Sequence, residues 1–194
     1  MANEVTNNIT ISFNSKTAGD KAAKLFEWIK ENDSLLAPDM YPDKPEDHKI
    51  DRSWMEENLG GKWARMGDEI ELSRTDEGHF YDAHINIGTA WAPCTPWVEH
   101  LIEYLDEGFT ITHTYVDECL NFIGSNVWQD DELIYKYDDS DFYSSLEEET
   151  VRRAKEEGIT LGEMNKSTLD DWRWDWQWDF VYGLVEPPEE VYSE

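Results

Sequence analysis

Apolar and polar positions follow one another in a way that predicts strands and helices in turn. Residues 8–13 alternate as a half-buried strand does, and residues 18–32 repeat apolar side chains at helical spacing. Residues 33–53 hold three prolines and many aspartates with no lasting period, so they are predicted to form a loop. Two strand-like segments then follow at residues 69–73 and 81–88.

The middle of the chain extends this order. A second amphipathic helix is predicted to begin at Pro96 and to end at Gly108, with further strands at residues 110–116, 120–123 and 132–137. The order β, α, β, β, α, β with extra strands packs as an antiparallel sheet with two helices on one face. A ferredoxin-like α+β sandwich is the simplest architecture with this order.

The composition changes near the C-terminal end. It predicts a ferredoxin-like domain over residues 1–137 and an acidic C-terminal extension over residues 138–194 that packs on it. Residues 144–157 are predicted to be a helix that begins at Ser144 or Ser145. Aromatic side chains then occupy every second position, at Trp172, Trp174, Trp176, Trp178, Phe180 and Tyr182. Because a strand puts all six on one face, the extension is predicted to contain an aromatic-rich strand.

That aromatic strand has two interpretations. It is a platform for bases, sugars or a partner's apolar groove, or it is core or protein interface. Base stacking normally needs cations to hold the nucleic-acid backbone, and here the other face of the strand offers Arg173 against Asp175 and Asp179. The missing cations favour core or protein interface.

Charge narrows the classes of partner. The chain has 44 acidic and 16 basic residues, a net charge of −28. Residues 1–97 carry 18 acidic and 10 basic side chains, whereas residues 98–194 carry 26 and 6. Such a field repels phosphate backbones and anionic lipid and attracts basic surfaces. The sequence therefore predicts a basic protein as partner, with no direct nucleic acid and no membrane.

The sequence also predicts a compartment. No apolar run reaches the roughly 18 residues of a membrane span, and the start of the chain lacks a basic region followed by an apolar one. Cys94 and Cys119 are too few for a disulfide framework, which indicates reduced thiols. We therefore expect a soluble, cytoplasmic protein.

Candidate chemistry is sparse. The five histidines lack the spacing of metal ligands; they are His48, His79, His84, His100 and His113. With 44 acidic residues, any pairing of carboxylates is expected by number alone. No P-loop, GxSxG or GxGxxG segment occurs, and Cys94 has no recognisable triad context. We predict no catalytic residue, no metal and no cofactor, which makes an enzyme the less favoured class.

Four short segments carry a family resemblance. They read NLGGKW at residues 58–63, GTAWAPCTP at 88–96, YVDE at 115–118 and GSNVW at 124–128. In this order they resemble the YubB ferredoxin-like domain family of plasmids and phages, over roughly residues 5–137. The resemblance implies the ferredoxin-like fold and a mobile-element origin, hence the host cell cytoplasm, and it implies no activity. A proline pair commonly follows the tryptophan in that family, where this chain has Ala92, Pro93 and Cys94.

Two function classes remain. The first is a phage- or plasmid-encoded acidic interaction protein that imitates nucleic acid and inhibits a host nucleic-acid-binding defence factor. Because duplex DNA carries one charge per roughly 1.7 Å of axis, 28 charges correspond to about 48 Å of duplex. The alternative for this acidity is solubility alone. The predicted partner-binding residues are Glu99, Glu103, Asp106, Glu107, Asp130, Asp131, Glu132, Asp138, Asp139 and Asp141.

The second class is a small-ligand-binding or catalytic α+β domain. Its pocket is predicted near Lys62, Trp63 and Trp91. Core packing is the favoured interpretation of Trp63 and Trp91, because a tryptophan that leads into a strand or helix is usually a buried anchor.

Overall fold

The computed structural model describes residues 3–192, apart from the side chains of His48, Asp68 and Glu69. It is an α+β protein, as the pattern of apolar residues predicts. The strands are β1 (Glu4–Phe13), β2 (Ala64–Arg74), β3 (Phe80–Ala90), β4 (Phe109–Asp117), β5 (Ile123–Gln129) and β6 (Glu132–Asp139). The helices are α1 (Lys16–Asn32), α2 (Arg52–Leu59), α3 (Thr95–Leu105), α4 (Phe142–Glu156) and α5 (Lys166–Val185).

The six described strands form one antiparallel sheet in the order β2-β3-β1-β4-β5-β6. The N-terminal strand β1 is therefore central, and its Ile9 lies opposite both Ile85 of β3 and His113 of β4. Alternation along β1 buries Ile9, Ile11 and Phe13 against α1 and α3. This first layer holds the larger core, which includes fully buried Phe26, Trp97 and Phe109.

A second layer covers part of the opposite face. Val116 and Ile123 of the sheet pack against Phe142 of α4 and against Trp176 and Val181 of α5. The prediction of helices on one face is thus incomplete, because α5 lies over the face that α1 and α3 leave open. None of the described helices is long and apolar enough to cross a membrane.

The predicted aromatic-rich strand is wrong, since residues 172–182 lie within the helix α5. Residues two apart on a helix diverge, but residues four apart stack, so alternate aromatics form two ladders. Ring centroids are 5.7 Å apart for Trp172 and Trp176 and 5.8 Å apart for Trp174 and Trp178. Asn165 caps the helix, because its Oδ1 accepts the Thr168 N–H at 3.0 Å.

The two ladders have different environments. The first consists of Trp172, Trp176 and Phe180, and Phe180 stacks on Phe142 of α4 at 6.3 Å. The second consists of Trp174, Trp178 and Tyr182, of which Trp174 is 67% and Tyr182 48% exposed. Core packing is therefore right for Trp172, Trp176, Trp178 and Phe180, and wrong for the exposed Trp174 and Tyr182.

Several boundaries also differ from the prediction. The helix α3 ends at Leu105 with Asp106 at φ +79 as its C-cap, so Gly108 lies beyond the cap. The helix α4 begins at Phe142 after Asp141, two residues before the predicted serines. The strand β5 covers Ile123–Gln129, whereas the prediction places it at residues 120–123. Its bounds are missed because six of its seven residues are buried, so no alternation of apolar and polar residues marks it.

Candidate functional site

Seven of the ten predicted partner-binding residues come from two neighbouring parts of the fold. We call this set the acidic edge: Glu99, Glu103, Asp106, Glu107, Asp130, Asp131 and Glu132. Asp130 joins the two parts, because its Oδ1 accepts the N–H groups of Gly108 at 2.6 Å and Phe109 at 3.1 Å. These bonds hold the β5–β6 turn against the segment that follows α3. Asp106 and Glu107 thus lie beside the turn that carries Asp130 and Asp131, whereas Glu99 and Glu103 lie earlier on α3.

The acidic edge lacks counter-ions. Within the described part of the chain, no Lys or Arg forms an ion pair with Glu99, Asp106, Glu107, Asp131 or Glu132. The Glu103 carboxylate approaches only His100, at 3.8 Å. Most ion pairs elsewhere join residues three or four apart, as between Arg152 and Glu156 at 2.6 Å, and Arg65 pairs with Glu4 across the sheet at 2.7 Å. The edge therefore presents uncompensated negative charge to solvent.

The other three predicted residues lie at the far end of β6. Asp138, Asp139 and Asp141 are about 23 Å from the β5–β6 turn, at roughly 3.3 Å per residue along the strand. Asp139 accepts hydrogen bonds from the Asp141 N–H at 3.1 Å and the Ser145 hydroxyl at 3.0 Å. Asp141 accepts the Ser144 hydroxyl at 3.0 Å. These three residues are thus separate from the acidic edge. Asp139 and Asp141 instead form hydrogen bonds at the beginning of α4.

The predicted pocket residues surround an exposed indole. Trp91 is 41% exposed, so its predicted packing in the core is wrong, and its backbone has φ +73. The Arg52 guanidinium lies 4.8 Å and the Lys62 ammonium 5.2 Å from the centre of the Trp91 ring. Trp63 is half-buried, and the Arg65 guanidinium lies 5.4 Å from the centre of its ring. Three cations therefore lie at these two indoles, and two of them also form ion pairs, Arg52 with Glu56 at 2.6 Å and Arg65 with Glu4 at 2.7 Å.

A buried trio of Asn7, Cys94 and His113 was not predicted from the sequence. All three are fully buried. The Asn7 Oδ1 accepts the Cys94 N–H at 2.8 Å and the His113 Nε2–H at 3.0 Å, while the Asn7 amide donates to the Ile87 carbonyl at 2.8 Å. The Cys94 Sγ lies 3.7 Å from His113 Nε2. Strand order brings these residues together, which spacing along the chain does not reveal.

The trio resembles a nucleophile and base in geometry but not in electrostatics. Burial lowers the pKa of His113 to about 3 and raises the pKa of the Cys94 thiol, so both side chains are neutral at pH 7. A nucleophilic cysteine needs a low pKa and access to substrate. These side chains therefore serve as a polar network within the core.

A groove of about 910 Å³ lies on the opposite face of the sheet, beneath the C-terminal end of α5. Its floor is formed by even-numbered residues of β1 and β4, with His84 of β3, and its walls include Tyr182 and Tyr192. The His84 Nδ1 is 3.0 Å from the Thr10 hydroxyl, and the Thr112 and Tyr192 hydroxyls are 2.9 Å apart. The groove was not predicted from the sequence, because its residues resemble an ordinary solvent-facing side of strands.

The remaining histidines do not assemble a metal centre. His100 bonds to the Asn58 side chain at 3.1 Å and packs against Tyr41, while His79 lies beside the β2–β3 turn. The side chain of His48 lies outside the described residues. Among the described residues, no three His, Cys, Asp or Glu side chains are placed to hold a metal ion.

Comparisons with known proteins give one structural likeness. No family model matches the chain, and no curated protein sequence matches it. The crystal structure of the protein api92 from Yersinia pseudotuberculosis, of the DUF1281 family, is similar with a TM-score of 0.41 and 8% sequence identity. The match covers 72% of this chain and 98% of that chain. A likeness at this level assigns neither a family nor an activity.

Proposed function

We propose that this protein is an acidic interaction protein that binds a basic, nucleic-acid-binding protein of the host by presenting carboxylates in place of phosphates. The observation that supports the proposal is the acidic edge, where five carboxylates have no Lys or Arg partner within the described chain. Uncompensated charge of one sign steers an oppositely charged surface toward it and speeds association.

The arrangement of the edge supports the same proposal. Asp130 ties the turn to the segment that follows α3, so the backbone that carries Asp106, Glu107 and Asp131 needs little ordering when a partner binds. Ordering of flexible side chains is one of the costs of association, and a partly fixed row of charges reduces it. Affinity for a basic groove should then fall steeply with salt.

The proposal extends to origin and fold. Residues 5–137 are proposed to belong to the YubB ferredoxin-like domain family, with a phage or plasmid origin and a place in the host cytoplasm. The strand order β2-β3-β1-β4, with α1 and α3 as the connecting helices on one face, supports a ferredoxin-like arrangement of this part. In this view α4 and α5 form the acidic extension that packs on it.

Affinity capture from a bacterial host lysate tests the proposal. The wild-type protein should retain a basic nucleic-acid-binding protein at low salt, release it at high salt and release it when duplex DNA is added. Release by DNA distinguishes occupation of the nucleic-acid site from nonspecific ion exchange. Loss of the captured protein in a variant then locates the contact.

The decisive variant reverses four carboxylates of the acidic edge to Lys, at Glu99, Asp106, Glu107 and Asp131. Asp130 is left unchanged because it supports the turn through its hydrogen bonds. A matched control reverses four exposed carboxylates of α4 and α5, at Glu147, Glu148, Asp170 and Asp171, for the same change in net charge. The edge variant should lose the partner and the control should keep it. Equal capture by both variants would contradict the proposal.

The exposed Trp91 supports a second candidate, a small-ligand site near Lys62, Trp63 and Trp91. The Lys62 ammonium beside the exposed indole suits a flat anion, while Arg52 on the same ring is already paired with Glu56 at 2.6 Å. A bulky residue at positive φ is unusual enough to suggest a binding role. Titration with benzoate, followed by NMR of the indole N–H groups, tests this candidate. A shift confined to the Trp91 and Trp63 signals supports it, and an unchanged spectrum rules benzoate-like anions out.

A further inference from the structure

The floor of the groove beneath α5 is chemically unlike the rest of the protein. Its cross-strand pairs between β1 and β4 are Asn8 with Thr114, Thr10 with Thr112, and Ser12 with Thr110. Every one of these side chains is a neutral hydroxyl or amide, in a chain of which 31% is charged. Among the described lining residues, Glu186 alone carries a formal charge, and it lies on the wall.

The walls add aromatic and apolar surface. Tyr182 of the second aromatic ladder is 48% exposed and Tyr192 is 50% exposed, so both rings have faces free for contact. Val185, Pro187 and Val191 continue the same wall. The C-terminal segment already lies in place, with the Tyr192 hydroxyl 2.9 Å from that of Thr112, and the groove remains open beside it.

We propose that this groove binds a neutral oligosaccharide. Hydroxyl and amide side chains donate and accept hydrogen bonds, which matches the paired donors and acceptors of sugar hydroxyls. Tyrosine supplies an apolar ring face for the C–H side of a sugar together with a polar hydroxyl. A volume of about 910 Å³ lies within the usual range for ligand sites.

Charge decides between a neutral ligand and an ionic one. No Lys or Arg is among the described lining residues, so no such cation offsets the net charge of −28 there, and an anionic ligand is disfavoured. A cationic ligand needs carboxylates around it, and the floor provides none among its described residues. The His84 ring is held by the Thr10 hydroxyl at 3.0 Å, and it adds a further hydrogen-bonding group to the floor. The groove shares no lining residue with the acidic edge, although Thr110 and Gln129 of its floor directly adjoin that edge. The inference therefore does not rest on the proposed function.

NMR titration of the isotope-labelled protein tests the inference. The probes are maltotriose, cellotriose, mannotriose, triacetylchitotriose and lactose, with 3′-sialyllactose as the anionic match for lactose. At least one neutral probe should shift amide signals of β1, β4 and the end of α5 with millimolar or tighter affinity. Sialyllactose should bind more weakly than lactose. No shift with any neutral probe, or shifts confined to other surfaces, would overturn the proposal.

Single substitutions in the groove test whether the sugar binds there, provided that each variant folds as the wild type does. Tyr182→Ala should weaken binding about tenfold, Tyr182→Phe should change it little, and Thr112→Val should weaken it several-fold by removing one hydroxyl. Trp174→Ala is the matched control, because it removes an exposed aromatic from the same ladder one turn beyond Trp178. Each variant is first shown to melt as the wild type does. If Tyr182→Ala and Trp174→Ala have the same effect, the groove is not the binding site. The charge-reversed edge variant should keep its sugar affinity.

Discussion

The two helical layers of this protein cover the same sheet in different ways. The α1 and α3 layer buries a continuous core in which Trp97 is fully buried and its indole N–H donates to the Leu35 carbonyl at 3.1 Å. The α4 and α5 layer buries a smaller cluster, and within the described residues the buried indole nitrogens of Trp176 and Trp178 have no hydrogen-bond partner. The first layer also has a buried polar atom without a partner in the described chain, the His113 Nδ1, whereas α5 alone has the two indole nitrogens. Because unpaired buried polar groups cost stability and the second layer has the smaller core, we expect the second layer to be the weaker one. We therefore expect the first layer to contribute most of the free energy of unfolding. Substitutions in the second layer, around the groove, should cost less stability.

The largest expected effect is in the first layer. Trp97→Ala removes a fully buried indole and its hydrogen bond, so it should lower the free energy of unfolding by about 3 to 5 kcal/mol. Urea denaturation followed by far-UV circular dichroism measures the change. A loss no larger than that of a second-layer tryptophan would remove the distinction between the layers.

The corresponding change in the second layer is Trp176→Ala. Trp176 is 8% exposed and has the Arg153 guanidinium at 4.6 Å, but its indole N–H has no partner to lose among the described residues. We therefore expect a loss of about 2 to 3 kcal/mol, below the usual range for a large buried aromatic. The same denaturation assay measures it. Equal losses for Trp97→Ala and Trp176→Ala would mean that both layers are equally well packed.

Acid should destabilise the protein through His113 of the first layer. Burial lowers the pKa of His113 to about 3, below its unfolded value of about 6.5, so the unfolded state binds the proton first as pH falls. Stability contributed by the neutral ring is complete above about pH 6.5 and falls by about 2 kcal/mol between pH 7 and pH 5.

The control for this effect is His113→Leu. This variant should be less stable at pH 7, because the hydrogen bond to Asn7 is lost, but its stability should depend less on pH between 7 and 5. Protonation of surface carboxylates affects both proteins alike and cancels in the difference. Parallel pH profiles would show that His113 is not the group responsible.

The smallest effect is expected on the exposed ladder of the second layer. Trp174 is 67% exposed, so Trp174→Ala should change the free energy of unfolding by less than about 0.5 kcal/mol. The sequence alone predicts a large loss, because a strand places Trp174 and Trp176 on the same covered face. A loss above about 2 kcal/mol would restore a buried role for both ladders.

Sequence patterns predict the first layer well because its elements have one buried and one exposed side. Such sides repeat with a period of two or 3.6 residues, which is visible in β1, α1 and α3. The strand β5 shows no such period because both of its faces are buried. The helix α5 is ambiguous because alternate aromatics fit either one face of a strand or two ladders on a helix. The cap at Asn165 and a length of 20 residues were the signals for a helix.

The two candidate sites also differ in how far the sequence predicts them. The acidic edge is predictable in composition, since its carboxylates stand out along the chain, but its boundary at the β5–β6 turn depends on the bonds of Asp130. The groove is not predictable, because Thr10, His84 and Thr112 meet only through the strand order β3-β1-β4. The spacing of these residues along the chain does not show that their strands are neighbours in the sheet.

The central position of β1 also affects how the chain reaches its fold. Ile9 pairs with residues at 85 and 113, so β1 has no sheet partner until most of the first layer has been synthesised after it. At synthesis rates of roughly 5 to 20 residues per second, β1 waits about 5 to 20 seconds for β4. Contacts of such long sequence separation also slow folding itself. The nascent protein therefore spends this interval with an unpaired apolar strand, and it is during synthesis, rather than after it, that chaperones have the most to protect.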